Sequence, residues 1–417
     1  MESSSYHSCK KLKLVLLFSI IVEKGDAMFD RLLQIAVPSG QSLFLWGARQ
    51  TGKSSFLQKH YPDALRYDLL DTQLFLRYLR EPYLFRAELL EQPVEKLQQP
   101  IIIDEIQKIP VLLNEVHLLI EQHKLQFILC GSSARQLKAK STNLLGGRAW
   151  IYHFYPLVFP EIPAIDLLKA LQQGLLPKHY LSSHDHIQAN LEAYVNVYLT
   201  DEIQQEGLVR NLAAFSQFLE MIGLCNGELI NMSNIARDCR VTRNTVEGYF
   251  QILVDTLLGY FIYPYHQKVK RDLLVAMPKF YLFDVGVANY LGAREVTQLK
   301  GDVAGRSFEH FILMELIAYR GLLKKRFDIC YWRTKTGLEV DFVLGDAKIA
   351  IEVKVSTQVH KQDLKGLVAF CEEHPAVNAY VVSQDVAPRQ LAISESMSLA
   401  VLPWRIFLEK LWAGEII

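Results

Sequence analysis

Gly47-Ala48-Arg49-Gln50-Thr51-Gly52-Lys53-Ser54 fits the spacing G-x-x-x-x-G-K-[ST] at every fixed position. Glycines let such a loop curl until successive N–H groups point inward at a phosphate chain, at the positive end of a helix. Lys53 is expected to reach the outer phosphates, and the Ser54 hydroxyl to bind Mg²⁺. Ser42-Leu43-Phe44-Leu45-Trp46 reads as the buried strand that must precede the loop. Ser55-Phe56-Leu57-Gln58-Lys59 reads as the helix that must follow it. The expected cofactor-binding set is Gly47 through Ser55 together with Ser132.

Two further strands complete this chemistry. Ile101-Ile102-Ile103-Asp104-Glu105 is an apolar run ending in two acids. Buried parallel strands read as continuous apolar runs, and ligands gather at their carboxyl ends. Asp104 is expected to help hold Mg²⁺, and Glu105 to polarise the water that attacks a γ-phosphate. Leu125 to Cys130 forms a third strand, running into Gly131-Ser132-Ser133-Ala134-Arg135. A polar residue at that tip can sense the γ-phosphate, with Ser132 and Ser133 as the candidates.

The chain has 417 residues, which implies several domains. Lys plus Arg equals Asp plus Glu, at 45 each, so any nucleic-acid contact must come from a local patch. Six scattered cysteines with no C-x-x-C pair argue against a disulfide framework or zinc ribbon, and suit a reducing cytoplasm. The apolar run Leu14 to Val22 is too short to span a bilayer and is followed at once by charges. Residues 1–27 are expected to be an extension outside the fold, and no membrane association is expected.

Residues 28–160 alternate strands and helices, which means a parallel α/β sheet covered on both faces. The strand Trp150 to Phe154 belongs to it, and the prolines near Phe159 mark its end. Residues 161–278 turn helical, with three- and four-residue apolar spacing over Ile187–Glu202 and Asn211–Leu224. His179, His184 and His186 read there as a solvated loop. Ser233 to Tyr249 has helix-turn-helix spacing. Ile235 and Ala236 are expected to pack on Val241, Val246 and Tyr249, and Thr242 to cap the second helix. Arg243 and Asn244 then stand at its exposed start, where base-reading residues sit. Phe261-Ile262-Tyr263 with Lys268, Lys270 and Arg271 would form a wing. Residues 279–417 return to mixed α/β.

That last segment holds a second candidate site. Gly337–Leu344 and Ile349–Lys354 read as paired strands presenting Asp341 on one and Glu352 with Lys354 on the other. Residues two apart on a strand share a face. Two carboxylates and a lysine so placed suit metal-dependent phosphodiester cleavage, with Glu309 as a further contact. A charged, solvated hairpin face fits the same pattern.

Taken in order, these motifs resemble a family of prokaryotic AAA-type ATPases related to the signal-transducing STAND ATPases, with a C-terminal domain called DUF4143. The residues that carry the resemblance are Gly47 to Ser55, Asp104-Glu105-Ile106-Gln107, Gly131 to Arg135, Gly147-Arg148-Ala149, Phe159-Pro160-Glu161, and the run from Gly305 through Glu352-Val353-Lys354. The resemblance implies an ATP-binding core, a helical and winged-helix middle and a C-terminal part similar to restriction endonucleases. It offers Arg148, then Arg135, as γ-phosphate sensor or finger. Val340 stands where a proline often precedes the first acid. The expected function is a Mg²⁺-dependent ATPase working as a nucleotide-driven switch. The alternatives are an ATP-gated DNA nuclease and a non-enzymatic regulator that binds DNA or a protein partner.

Overall fold

The computed structural model describes residues 29–36, 38, 40–133, 135, 147–199, 211–265, 277–395 and 397–417, with only the backbone described at 184 and 197–199. The expected extension over 1–27 and the wing residues Lys268, Lys270 and Arg271 lie outside the described residues.

Five strands build the first sheet: β1 (Ser42–Trp46), β2 (Arg66–Asp68), β3 (Ile101–Asp104), β4 (Phe127–Gly131) and β5 (Ala149–His153). Their order is β2-β3-β4-β1-β5, and every pair is parallel. Alternate side chains serve opposite faces. Phe44, Trp46, Ile101 and Ile103 pack on one side, and Leu43, Leu45, Ile102 and Ile128 on the other. Burial on both faces is why β1 and β3 carry no alternation of polar residues. β5 is an edge strand with Trp150 and Ile151 exposed.

The middle of the chain is helical: Leu167–Gln173, Pro177–Leu181, His184–Ala193, Leu212–Leu224, Met232–Asp238 and Arg243–Asp255. Asn211 caps its helix by accepting from Ala214 N at 3.0 Å, and Thr242 caps the last by accepting from Thr245 N at 3.2 Å. Ile235, Ala236, Val246 and Tyr249 are buried in one core, with Val241 packed against it. The tight turn between the last two helices has no glycine; Arg240 takes the left-handed conformation itself, at φ 54°. The histidines are not one solvated loop. Pro177 opens a short helix that turns His179 inward, where it is 1% exposed, while His186 stays on the surface.

The rest forms a mixed sheet from β6 (Gly259–Pro264), β7 (Lys279–Leu282), β8 (Ile329–Arg333), β9 (Glu339–Leu344), β10 (Ile349–Lys354), β11 (Asn378–Ser383), β12 (Arg389–Ala392) and β13 (Ser398–Pro403). Its order is β12-β13-β11-β10-β9-β8-β6-β7. Strands β6 and β7 form an antiparallel pair, and β6 also lies parallel to β8. Phe261, Ile262 and Tyr263, expected in a wing, thus stand in a strand near the edge of the C-terminal sheet. A division between residues 278 and 279 cuts across that hairpin. The 21-residue helix Asp302–Leu322 packs along this sheet. Among the described residues no helix is long and apolar enough to cross a membrane.

Candidate nucleotide-binding site

The phosphate loop leaves β1 at the carboxyl edge of the parallel sheet and enters the helix Lys53–His60. Two left-handed residues shape it, Gln50 at φ 61° and Gly52 at φ 98°. Gly52 meets this demand at no steric cost, being free of a Cβ. Gly47 must also be glycine, because a Cβ there would lie 2.4 Å from the Phe154 carbonyl oxygen. Thr51 Oγ1 donates to Ala48 O at 2.8 Å and braces the crest. Lys53, 7% exposed, is folded across its own loop, donating to Gly47 O at 2.6 Å and Ala48 O at 3.0 Å. The first amides of the following helix have no intrahelical partner and are available to an anion. Ser54 and Ser55 stand exposed on that first turn.

Asp104 closes β3 beside the phosphate loop. Ser54 Oγ donates to Asp104 Oδ2 at 2.8 Å, reaching from the loop past the tip of β4, which lies between β1 and β3. Glu105 follows in a left-handed conformation, φ 56° and ψ 40°, and is 8% exposed. Such strain in a residue with a side chain persists only where its surroundings hold it. Lys108 N donates to the Glu105 carbonyl at 2.9 Å and Glu105 N donates to Asp104 Oδ1 at 3.1 Å, while Gln107 holds the side chain, its Nε2 donating to Glu105 Oε2 and also to Ser132 Oγ, the latter at 3.0 Å. Gln107 thus ties the acid to the proposed phosphate sensor. Ser133 Oγ accepts from Arg135 N at 3.1 Å, so this second serine candidate braces its own turn.

Two residues outside the motif hold the loop in place. Arg31 Nη1 donates to Thr51 O at 2.6 Å, and its Nη2 donates to Tyr155 O at 2.7 Å and Pro156 O at 3.2 Å. Its Nε pairs with Glu161 Oε2 at 2.9 Å, the two side chains being 8% and 1% exposed. Burial pushes the Glu161 carboxyl above its usual value against the pull of Arg31, and lowers Arg31 in turn. Arg31 lies in a stretch whose sequence reads as an unremarked domain start. On the other side, Ala48 of the loop belongs to the core of the helical module, with Leu176, Tyr194 and Phe283.

The two arginines are placed differently from expectation. Arg148 O accepts from Ser42 N at 3.0 Å, at the start of β1, and its side chain pairs with Glu121. Parallel pairing of β1 with β5 therefore leaves Arg148 at the end of the sheet opposite the phosphate loop, out of reach of a γ-phosphate bound in the same chain. Arg135 follows the β4 tip, and its Nη1 lies 3.4 Å from Asp255 Oδ2 at the end of the second helix of the helix-turn-helix. It bridges modules.

The second candidate site assembles, but around lysines. Lys354 Nζ donates to Glu352 Oε1 at 2.6 Å, and Val353 N donates to Asp341 Oδ2 at 2.7 Å. Lys279 of β7 is 5% exposed on its side chain and lies 3.2 Å from Glu309 and 2.5 Å from Glu339. Tyr281 Oη also donates to Glu309. Burial, with Glu352 and Glu309 nearby, holds the Asp341 carboxyl well above the ordinary range. Among the described residues no three acids, histidines or cysteines are arranged to hold a metal ion. Asp341, Glu352, Lys354 and Glu309 are thus brought together, and sequence spacing could not reveal that Lys279 enters the cluster from another strand.

A parallel sheet with its phosphate loop, acid pair and polar strand tip on one edge defines a P-loop nucleotide-binding domain. Residues 39–163 match the family described as AAA domain, 165–299 match a domain of unknown function, DUF8612, and 304–404 match another, DUF4143. The chain thus combines an AAA-like P-loop ATPase domain with a C-terminal DUF4143 domain. It is 26% identical over 332 residues to uncharacterized proteins of Mycobacterium tuberculosis and Mycobacterium bovis, spanning 77% of this chain and 71% of each relative. A crystal structure of a signal transduction ATPase with numerous domains, bearing a tetratricopeptide repeat sensor, from Pyrococcus horikoshii overlaps 68% of this chain at 12% identity and a TM-score of 0.18. The chain spans 46% of that protein, and a likeness this slight carries no argument.

Proposed function

We propose that the protein is a Mg²⁺-dependent ATPase that works as a nucleotide-driven switch. The observation that carries this reading is the Ser54–Asp104 hydrogen bond, which joins the phosphate loop to the acid strand with Glu105 next in the chain. Two hard oxygen donors so placed fit Mg²⁺ bound together with a nucleotide; bound there, it would offset charge on the phosphate oxygens. The loop amides cradle the phosphates. Lys53 leaves the Gly47 and Ala48 carbonyls and neutralises outer phosphate charge. Glu105 orients a water molecule and accepts its proton as the water oxygen bonds to the γ-phosphorus. The bond to the bridging oxygen breaks, ADP departs, and the proton passes on to the released phosphate.

The switch reading draws support from the contacts that leave the loop. Ala48 sits in the helical core, and Arg135 meets Asp255 across modules, so a change at the phosphates alters packing that the helix-turn-helix shares. Arg243 and Asn244 are exposed at the start of its second helix, which supports DNA as the partner read by the output. Free thiols at Cys130, Cys225, Cys239, Cys330 and Cys371 accord with a cytoplasmic setting.

The test is binding and turnover of ATP. Lys53→Ala is expected to abolish nucleotide binding. Glu105→Gln is expected to bind ATP and to turn it over about a hundredfold more slowly, the usual scale for losing a positioned base. Equal turnover by Glu105→Gln and the parent protein would refute the role given to Glu105.

A further inference from the structure

We propose that Gln107 is a positioning residue that reports the presence of a γ-phosphate at Ser132 to the acid at Glu105. The inference deepens the ATPase reading and rests on it. Gln107 donates from one nitrogen to two acceptors, Glu105 Oε2 and Ser132 Oγ. A primary amide has two N–H hydrogens, so both are spent here. The orientation of the amide follows from charge, because the reverse orientation would set its oxygen against a carboxylate. Its Oε1 is buried without a hydrogen-bond partner among the described residues. An unmade bond of this kind costs about 1–3 kcal/mol, so the side chain is held in place by its two donated bonds and by packing.

The packing involves the sensor strand itself. Gln107 Oε1 lies 2.2 Å from where a Cβ on Gly131 would stand, so the amide rests on the bare backbone of the β4 tip. Gly131 and Ser132 together form the seat for Gln107, one by leaving space and the other by accepting its hydrogen bond. Ser132 is 1% exposed. Since its oxygen accepts from Gln107, its own hydrogen is left to donate elsewhere, and a γ-phosphate oxygen is the acceptor this site would supply. Donating to phosphate makes a hydroxyl oxygen a better acceptor, so each bond in such a chain strengthens the next. The relay runs from phosphate through the Ser132 hydroxyl and the Gln107 amide to the Glu105 carboxylate. Its effect is to fix Glu105 for water activation when a triphosphate is bound and to leave it less constrained with a diphosphate.

Steady-state ATP turnover and calorimetric ATP binding on the full chain test this. Gln107→Leu is expected to lower kcat about tenfold or more while KM and ATP affinity stay within about twofold, since positioning acts on the transition state. Ser132→Ala is expected to lower kcat as far and also to weaken ATP relative to ADP, because the donor to the γ-phosphate is lost. The double variant is expected to be no worse than the poorer single, because both break one chain. Should Gln107→Leu fail to fold, Gln107→Asn withdraws the amide by one methylene and is expected to show the same loss. A parent-like kcat in the folded Gln107 variant, or losses that multiply in the double variant, would overturn the relay alone. A parent protein that neither binds nor turns over ATP would overturn the ATPase reading and the relay with it.

Discussion

Arg31→Met tests whether the phosphate loop is held from outside its own motif. The substitution keeps most of the apolar stem over Phe154, whose ring lies 4.2 Å from the guanidinium carbon. It removes the donors to Thr51 O, Tyr155 O and Pro156 O and leaves Glu161, 1% exposed on its side chain, without its cation. Removing one partner of a buried ion pair costs about 3–5 kcal/mol. Leu32 N and Val158 N still donate to Glu161, at 2.7 and 3.2 Å, which places the expected loss near the lower end, about 3 kcal/mol. Urea unfolding at pH 7 reads this loss, and nucleotide affinity is expected to fall with it as the Thr51 carbonyl is released. The double variant Arg31→Met/Glu161→Gln is expected to recover about 2 kcal/mol, because no buried charge is left unanswered. Acid provides a further check. Burial already holds the Glu161 carboxyl above its ordinary value of 4.5 in the folded state, and loss of Arg31 raises it further. A raised carboxyl destabilises fully above its folded pKa and is relieved as pH falls toward the unfolded value. The gap between variant and parent should therefore narrow on acidification. Strictly additive effects in the double variant, with a gap constant in pH, would refute the account of Arg31 as a buried clamp.

Gly47→Ala places a Cβ 2.4 Å from the Phe154 carbonyl oxygen, whose own residue donates from N to Trp46 O at 2.6 Å. The loop must shift away from the end of β5, at a cost of about 1–3 kcal/mol, and ATP affinity is expected to drop at least tenfold by calorimetry; unchanged affinity would refute the close approach. His310 is buried, accepting from Asn226 at Nδ1 and donating from Nε2 to Leu282 O, and burial lowers its pKa from 6.5 to about 4. Because the folded state resists the proton that the unfolded state takes up, its stabilisation is intact above pH 6.5 and falls away between about 6.5 and 4, by about 3 kcal/mol. Thermal unfolding against pH should show this slope in the parent and a shallower one in His310→Gln, and equal slopes would remove His310 as the cause.

The sequence by itself determined the P-loop core, for local reasons. Short apolar runs that end beside a phosphate-loop motif or in acids read as strands buried on both faces, so β1, β3 and β4 were legible, as were the acids at the end of β3. A glycine loop opening a helix states its own geometry, Thr242 announces its helix as a cap does, and apolar spacing over Asn211–Leu224 announces another. The pairing of Glu352 with Lys354 followed from strand periodicity alone. Tertiary structure decided everything that depends on which strand lies beside which. Parallel pairing put Arg148 at the far end of the sheet from the phosphate loop, a fact that no local spacing contains. Chain crossings carried Lys279 into the acid cluster and brought Arg31 under the loop with Glu161, 130 residues away in sequence. Gln107 meets Ser132 because β4 folds in beside β3 and sets that serine within reach of its amide. Periodicity and capping are properties of neighbours in the chain, whereas charge pairing and hydrogen-bond relays belong to neighbours in space, and only the packed core makes those.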